Sequence, residues 1–422
     1  MPPLSPDHLT TLATACEGKA LASPPPDRQI SIWEITSWIL PMAPEHLRRV
    51  LAADPNLPQG SAGGEGGTRW FSQSDLAALR AHFATGPRKA RYLPTRLPNA
   101  RAPLVTLTGP LGAMGRSTCL MHLACAAALS GYRVLVIDGD PAGPLGSALP
   151  APPGHHDVPG TGVLSLIARS AALHLRRLNE ARLDRGDTPH PMDEWLGAAL
   201  PLRAADLIRP SLWPGLDVMA APLAMMQGDL QISTWRLALR GWQPGRALAA
   251  ALDDEGLRQR YDLILCDTPR GLGPLALALL TSADVLLAPF PLHQDGLPRL
   301  GAGLQALAQA TSQLQAEAQT AARALGQTAP PAQAWQRLWV LPNRAGPDAA
   351  RQMAGVAAKL GDALLPNPMP EIASLAPRLA QGQAAPQFYD LDYRSLGRLT
   401  YAPLRDACDA AWLSVAEALA GL

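Results

Sequence analysis

Charge is what this sequence has least of. Only 17% of its 422 residues are Asp, Glu, Lys or Arg, and the formal net charge is +1. No global field draws such a chain to nucleic acid, so any contact of that kind has to come from a local patch. Cysteine is scarce as well: five in all, an odd number, with no CxxC spacing. That argues against a disulfide framework and a zinc site, and it fits reduced, buried thiols in a cytoplasm. The first 22 residues lack a basic stretch ahead of an apolar core, so no signal peptide is expected. No apolar run is long enough to span a bilayer. A last helix is expected over about 402–420, with Leu404, Cys408, Trp412, Val415 and Leu419 on one side. Its other side has little of the Lys and Arg that a membrane-surface helix needs, so it reads as a core helix.

Apolar bulk is what the chain does have, at 47% hydrophobic residues. Its length suggests more than one folding unit. Residues 1–27 are Pro-rich and expected to be flexible. Residues 28–84 form a first unit, 85–102 a basic, Pro-punctuated linker, and 103–422 a large domain. In that domain short apolar runs fall at 104–108, 134–138, 216–220, 263–267, 285–290 and 338–343. They lack polar alternation, as strands buried on both faces should. Stretches of 3.6-residue periodicity lie between most of them, for example 118–130 and 247–259. The alternation predicts an α/β fold with a parallel sheet covered by helices. Residues 151–212 are an Arg- and Pro-containing insertion with one helix near 164–182. Residues 322–335 are expected to be a loop.

The first strand runs into GlyProLeuGlyAlaMetGlyArgSerThr, residues 109–118, and a helix follows at once. Strand, Gly-rich loop and helix together point backbone N–H groups and a helix N-terminus at phosphate. The ordinary phosphate loop, GxxxxGK[ST], uses its Lys on the β/γ-phosphates and its hydroxyl on Mg²⁺. Here Gly115, Arg116 and Ser117 take the last three places, and Pro110 stands where the first Gly belongs. The second strand delivers Asp138 and Asp140 at its end, and the fourth delivers Asp267. Open α/β sheets bind ligands at that edge, and carboxylates there suit Mg²⁺. An Asp after a strand can equally cap the turn that follows it.

Taken in order, these segments resemble the ParA/MinD branch of P-loop ATPases, and most of all the RepA proteins of RepABC plasmid partition systems. The loop aligns as Leu111-Gly112-Ala113-Met114-Gly115-Arg116-Ser117, then Thr118. Further matches are Gly131 to Pro141, Tyr261 to Pro269, the Ala283–Pro291 segment, and Asn367-Pro368-Met369. The resemblance covers about residue 28 to the end, without 151–212. It implies ATP or ADP with Mg²⁺ on residues 112–118, with Ser117, Asp138 and Asp267 at the metal and Asp140 and Arg116 as catalytic groups. Asn343 resembles the position that contacts the base, although an Asn there also suits a turn. It further implies a homodimer, DNA binding, a ParB-like centromere-binding partner and a place in the cytoplasm on the nucleoid.

The sequence departs from that family at specific places. The Lys that crosses the dimer interface falls on Leu111, which offers neither donor nor charge. The phosphate-loop Lys falls on Arg116, whose planar fork does not replace a compact ammonium. Ala142 and Arg270 replace a Gln and a Pro, and Arg270 brings a positive charge to its segment. Impaired or slow hydrolysis is therefore expected, since phosphoryl transfer depends on positioning and electrostatics. His122 and His293 read as core or turn residues.

Relatives also carry an N-terminal winged helix-turn-helix of MerR type. Here 34–50 supplies the helices, 68–72 the wing and 75–82 the next helix. The recognition helix would present His46, Arg48 and Arg49, with Arg69 in the wing and Arg88, Lys89 and Arg91 in the linker. The same segment could instead be a docking or dimerisation unit without DNA. By resemblance alone, Arg378, Arg394 and Arg398 form a second DNA surface. Three readings of function follow: a working partition ATPase, a noncatalytic regulator that represses its operon or pairs with an intact ATPase, or a positioning protein for a cellular cargo other than a plasmid.

Overall fold

The computed structural model describes residues 28–422, apart from 64–68, 86–91, 95–100, 110, 113, 153, 156–161, 294, 325, 327, 330, 373–374 and 376–387. Arg88, Lys89, Arg91, Ala113 and Arg378, and the wing residues 64–68, lie outside the described residues. Strand β1 (Ile30–Ser31) enters helix α1 (Ile32–Glu34) through a capping box. The Ser31 side chain accepts from the Glu34 amide, and the Glu34 carboxylate accepts from the Ser31 amide, so both orphan donors are met. The helix widens at once into a π turn over Ile35–Ile39. Helix α2 (Pro44–Ala53) opens with Pro in its first turn, where a missing N–H costs nothing. Strands β2 (Ser61–Ala62) and β3 (Arg69–Phe71) follow, and a second capping box, Ser72 with Asp75, starts α3 (Gln73–Ala84). The middle strand of this small antiparallel sheet is β3, paired with β1 and β2.

The larger sheet begins with β4 (Leu104–Leu107), followed by α4 (Arg116–Leu129) and β5 (Val134–Ile137). After β5 come α5 (Pro144–Ala148) and α6 (Val163–Leu183), then β6 (Arg209–Pro210) and β7 (Leu216–Met219). Helix α7 (Gly228–Ala238) precedes β8 (Leu263–Cys266), α8 (Pro274–Ser282) and β9 (Val285–Pro291). The chain continues with α9 (Gly296–Ala324), β10 (Arg337–Asn343), α10 (Ala349–Leu360) and α11 (Arg398–Ala420). Strand order is β10-β9-β4-β8-β5-β7-β6, parallel except for the last pair. Every residue of β4, β5, β8 and β9 is buried, because helices cover both faces. All six apolar runs form strands. Strand β4 sits between β8 and β9, so the strand order departs on both sides of it and a crevice opens at the carboxyl edge.

Three local features differ from expectation. Strand β6 is an antiparallel edge of two residues, too short to leave a period in the sequence. The insertion holds α6 and also a short helix, Asp193–Leu196, ahead of β6. The expected loop at 322–335 starts later, because α9 runs on to Ala324. Among the described residues no helix is long and apolar enough to cross a membrane.

The N-terminal elements are seated on the α/β layers. Ile30, Ile35, Leu47, Phe71 and Leu79 share one hydrophobic cluster with Leu120 and Leu123 of α4 and with Tyr401 and Trp412 of α11. At its centre Arg28 donates to Glu34 at 2.5 Å and to the Tyr401 hydroxyl at 2.8 Å, and Tyr401 donates to Glu34 at 3.0 Å. Among the described residues Arg80 of α3 has no carboxylate in its contacts. It donates to the carbonyls of Tyr92, Ile39 and Leu129, the last residue of α4. Burial pulls its pKa down to about 10.

Removing one member of a buried ion pair strands the other, at a cost of about 3–5 kcal/mol. Glu34→Ala is therefore expected to lower the unfolding temperature and to expose the 30–84 elements to protease. Calorimetry with limited proteolysis measures both.

Candidate functional site

Gly115 closes the phosphate loop in the left-handed region, at φ 77°, as the N-cap of α4. A Cβ there would stand 2.9 Å from Nδ2 of Asn343, so only glycine fits. Asn343 ends β10 and is buried. Its Nδ2 donates to the Met114 carbonyl at 2.7 Å and to Sγ of Cys119 at 3.3 Å. Its Oδ1 has no partner among the described residues. The next residue, Arg344, is held at φ 52°, a costly conformation for a long side chain and one that gathers at functional sites.

The helix start is tied to the end of β8 by two adjacent side chains. Arg116, almost fully buried, donates from Nη1 to the Thr268 hydroxyl at 3.0 Å and to the Pro269 carbonyl at 2.9 Å. Ser117 donates its hydroxyl to the Asp267 carboxylate. The Thr268 hydroxyl in turn donates to the Leu107 carbonyl at 2.9 Å, so the tie reaches back to β4. Asp267 is fully buried, and burial raises its pKa, while the Arg116 charge and the Ser117 bond pull it down.

Asp138 is buried beside it. One of its oxygens accepts from the Leu145 and Gly146 amides at 2.9 and 3.2 Å, the other from the Asp140 amide at 3.2 Å. It therefore caps the start of α5. Burial, and after it the neighbouring Asp267, push its pKa up to about 8. Between the two acids Gly139 passes so close that a Cβ would lie 2.5 Å from the Asp267 carbonyl and would strike Leu279 as well. Asp140 lies close enough to add its charge to Asp267, and its carboxylate accepts from the Ala142 amide at 3.0 Å.

The donor set fits a Mg²⁺ nucleotide better than a metal held by protein alone. Ser117 and Asp267 bring two hard oxygens together at a helix N-terminus, and Mg²⁺ takes its remaining ligands from phosphate and water. Among the described residues no group of three or more His, Cys, Asp or Glu side chains could hold a metal ion. Gly112 and Thr118 join this site, with the Thr118 carbonyl accepting from Nδ1 of His122. His122 accepts the Phe388 amide at Nε2, and burial lowers its pKa to about 4, so it is a neutral core residue. His293 lies in the turn after β9.

Sequence reading missed Arg299. From the first turn of α9 it donates Nη2 to the Gly112 carbonyl at 2.6 Å. It belongs to no motif, so nothing in the pattern could have singled it out. Arg394 and Arg398 stack on Trp70 and Trp33, at 4.1 and 4.8 Å from the ring centroids, which places them against the N-terminal elements.

The sequence profile of the CobQ/CobB/MinD/ParA nucleotide binding domain matches residues 105–385, more than half of the chain. The chain belongs to this family. A protein named "Putative replication protein A", from Sinorhizobium fredii, is 26% identical over 269 residues, or 62% of this chain and 56% of that protein. Protein SopA of Escherichia coli K12 is 25% identical over 223 residues, covering 52% and 47%. The chain spans about half the length of these curated relatives. A solved structure described as a partition protein superimposes with a TM-score of 0.53 at 16% identity, over 89% of this chain and 94% of the other, which shows the shared α/β fold.

The acids at the strand ends give this member of the family a pH signature. Folding raises the Asp138 pKa from 3.8 to about 8, so its contribution to stability is complete below the lower value and lost as pH rises through about 8. In chelator, the unfolding temperature is expected to fall between pH 6 and pH 9. Asp138→Asn, which keeps an oxygen for the α5 amides, is expected to flatten that fall.

Proposed function

We propose that this chain is a nucleotide- and DNA-binding protein of the plasmid-partition type, with ATP hydrolysis that is slow or absent. The observation that carries the reading is the Ser117–Asp267 pair at the N-terminus of α4, behind a left-handed glycine and between two buried strand ends. Mg-ATP or Mg-ADP would lie along residues 112–118 with its metal at Ser117 and Asp267, and with Asp138 holding the adjoining turn. Asn343, at the end of β10, would lie toward the base. Asp140 would act on the attacking water.

Slow turnover follows from two residues. Leu111 provides no cation, and the Nη1 donor of Arg116 is engaged by Thr268 and Pro269. Loss of one preorganised donor to a developing charge costs about 10²-fold in rate or more. These same residues favour a second reading, a noncatalytic regulator that represses its operon or pairs with an intact ATPase. In the first reading the chain works as a homodimer with a ParB-like centromere-binding partner, in the cytoplasm on the nucleoid.

DNA binding rests on the N-terminal elements, in which two helical segments, a β-hairpin and a third helix follow one another as in a winged helix-turn-helix. Helix α2 exposes Arg48 and Arg49, with His46 3.0 Å from the Arg49 guanidinium. Arg69 of β3 is exposed and bonds Gln59 at 3.2 Å.

Nucleotide binding and turnover by the purified chain test the reading, with and without DNA, beside a Leu111→Lys, Arg116→Lys variant. Native binding with low turnover, raised at least tenfold in the variant, is the expected result. No nucleotide binding by the native chain would overturn it. On the DNA side, Arg48→Ala with Arg49→Ala is expected to weaken binding to all sequences alike and to reduce the salt slope by about 2, as measured by fluorescence anisotropy.

A further inference from the structure

The phosphate loop has one cation, Arg116, where its family motif places two. Leu111 brings none, and the Nη1 donor of Arg116 faces Thr268 and Pro269. Lysine occurs in the whole chain only at 19, 89 and 359, so none stands in the loop. Gly112, the middle of the loop, is nevertheless flanked by two guanidinium side chains from outside it. Arg299 donates to its carbonyl at 2.6 Å, and Cδ of Arg270 lies 3.9 Å from where a Gly112 Cβ would stand. Arg270 is exposed and Arg299 half-buried, and neither forms an ion pair among the described residues.

A neutral carbonyl is a weak partner for such a group. A guanidinium carries five donors in a fixed fork, and its bonds to phosphate are roughly twice as strong as bonds between neutral groups. Only one of the Arg299 donors is used on Gly112. That bond also turns the Gly112 oxygen toward α9, where its negative end cannot repel an anion in the cradle. We propose that Arg299 is the cation that meets the terminal phosphates of a nucleotide in this loop, with the Gly112 carbonyl as its resting partner. The proposal rests on the nucleotide reading above and assigns to α9 a task that the family motif gives to the loop itself. Arg270 is the second positive group within reach and adds to the field without touching Gly112.

Calorimetric titration of the native chain and of Arg299→Ala, Arg299→Lys and Arg299→Gln with Mg-ATP and Mg-ADP tests it. Loss of a charge-assisted bond predicts ATP binding weaker by about tenfold or more in Arg299→Ala, with a smaller loss for ADP. Arg299→Lys keeps the charge and is expected to stay within a few-fold of native. Arg299→Gln can still donate to the Gly112 carbonyl but has no charge, and is expected to bind as poorly as the Ala variant. Native-like ATP affinity in Arg299→Gln would overturn the proposal and leave Arg299 as a tie for the loop. If the Ala variant fails to fold, the Lys and Gln pair still decides. A native chain that binds neither nucleotide would sink the nucleotide reading and this inference together, whereas native binding that all three variants share would sink this inference alone.

Discussion

Two neighbouring side chains at the start of α4, Arg116 and Ser117, are fastened to the end of β8, and the rest of the site is arranged around that fastening. It joins the central strand to its neighbour through side chains as well as backbone, since Thr268 also reaches the Leu107 carbonyl. Asp267 can stay buried because a hydroxyl, a backbone amide and a nearby guanidinium surround it. A buried carboxylate without such partners would be far too costly to keep charged. Gly139 then becomes obligatory, because the end of β5 must pass against the Asp267 backbone.

Much of this was legible in the sequence because a strand buried on both faces writes itself as an unbroken apolar run. The runs ending in Asp138 and Asp267 therefore announced strand, edge and acid together. Gly115, Arg116 and Ser117 were legible as the turn into a helix because strand, glycine and helix stand in contiguous order. What contiguity cannot carry stayed hidden. Arg299 is 187 residues from Gly112, and Arg28 is 373 from Tyr401. No local period reports a contact of that span. The role of Asp138 as a cap was present among the alternatives, but only the positions of the Leu145 and Gly146 amides decide it. Asn343 was singled out for the base. Its amide nitrogen holds the Met114 carbonyl, and its oxygen is buried without a partner among the described residues.

The basic residues divide into two populations. Arg28, Arg80 and Arg116 are drawn inward, where they join elements to one another through carboxylates, hydroxyls and carbonyls, and buried Arg405 bonds Asp409 of its own helix and lies over the Trp38 and Tyr389 rings. Arg48, Arg49, Arg69 and Arg270 remain at the surface. Arg394 and Arg398 fall between the two, with exposed ends lying on Trp70 and Trp33.

Helix α4 is a straight strut of 14 residues, about 21 Å long at the usual rise. Its first turn is the floor of the phosphate loop, and its last carbonyl is gripped by Arg80 of α3. Midway along it, His122 holds the backbone of Phe388, beside the aromatic cluster around Tyr401. The N-terminal helix α3 thus meets the far end of the helix that begins at the phosphate loop. One helix therefore carries both the seat of the N-terminal elements and the first turn of the phosphate loop.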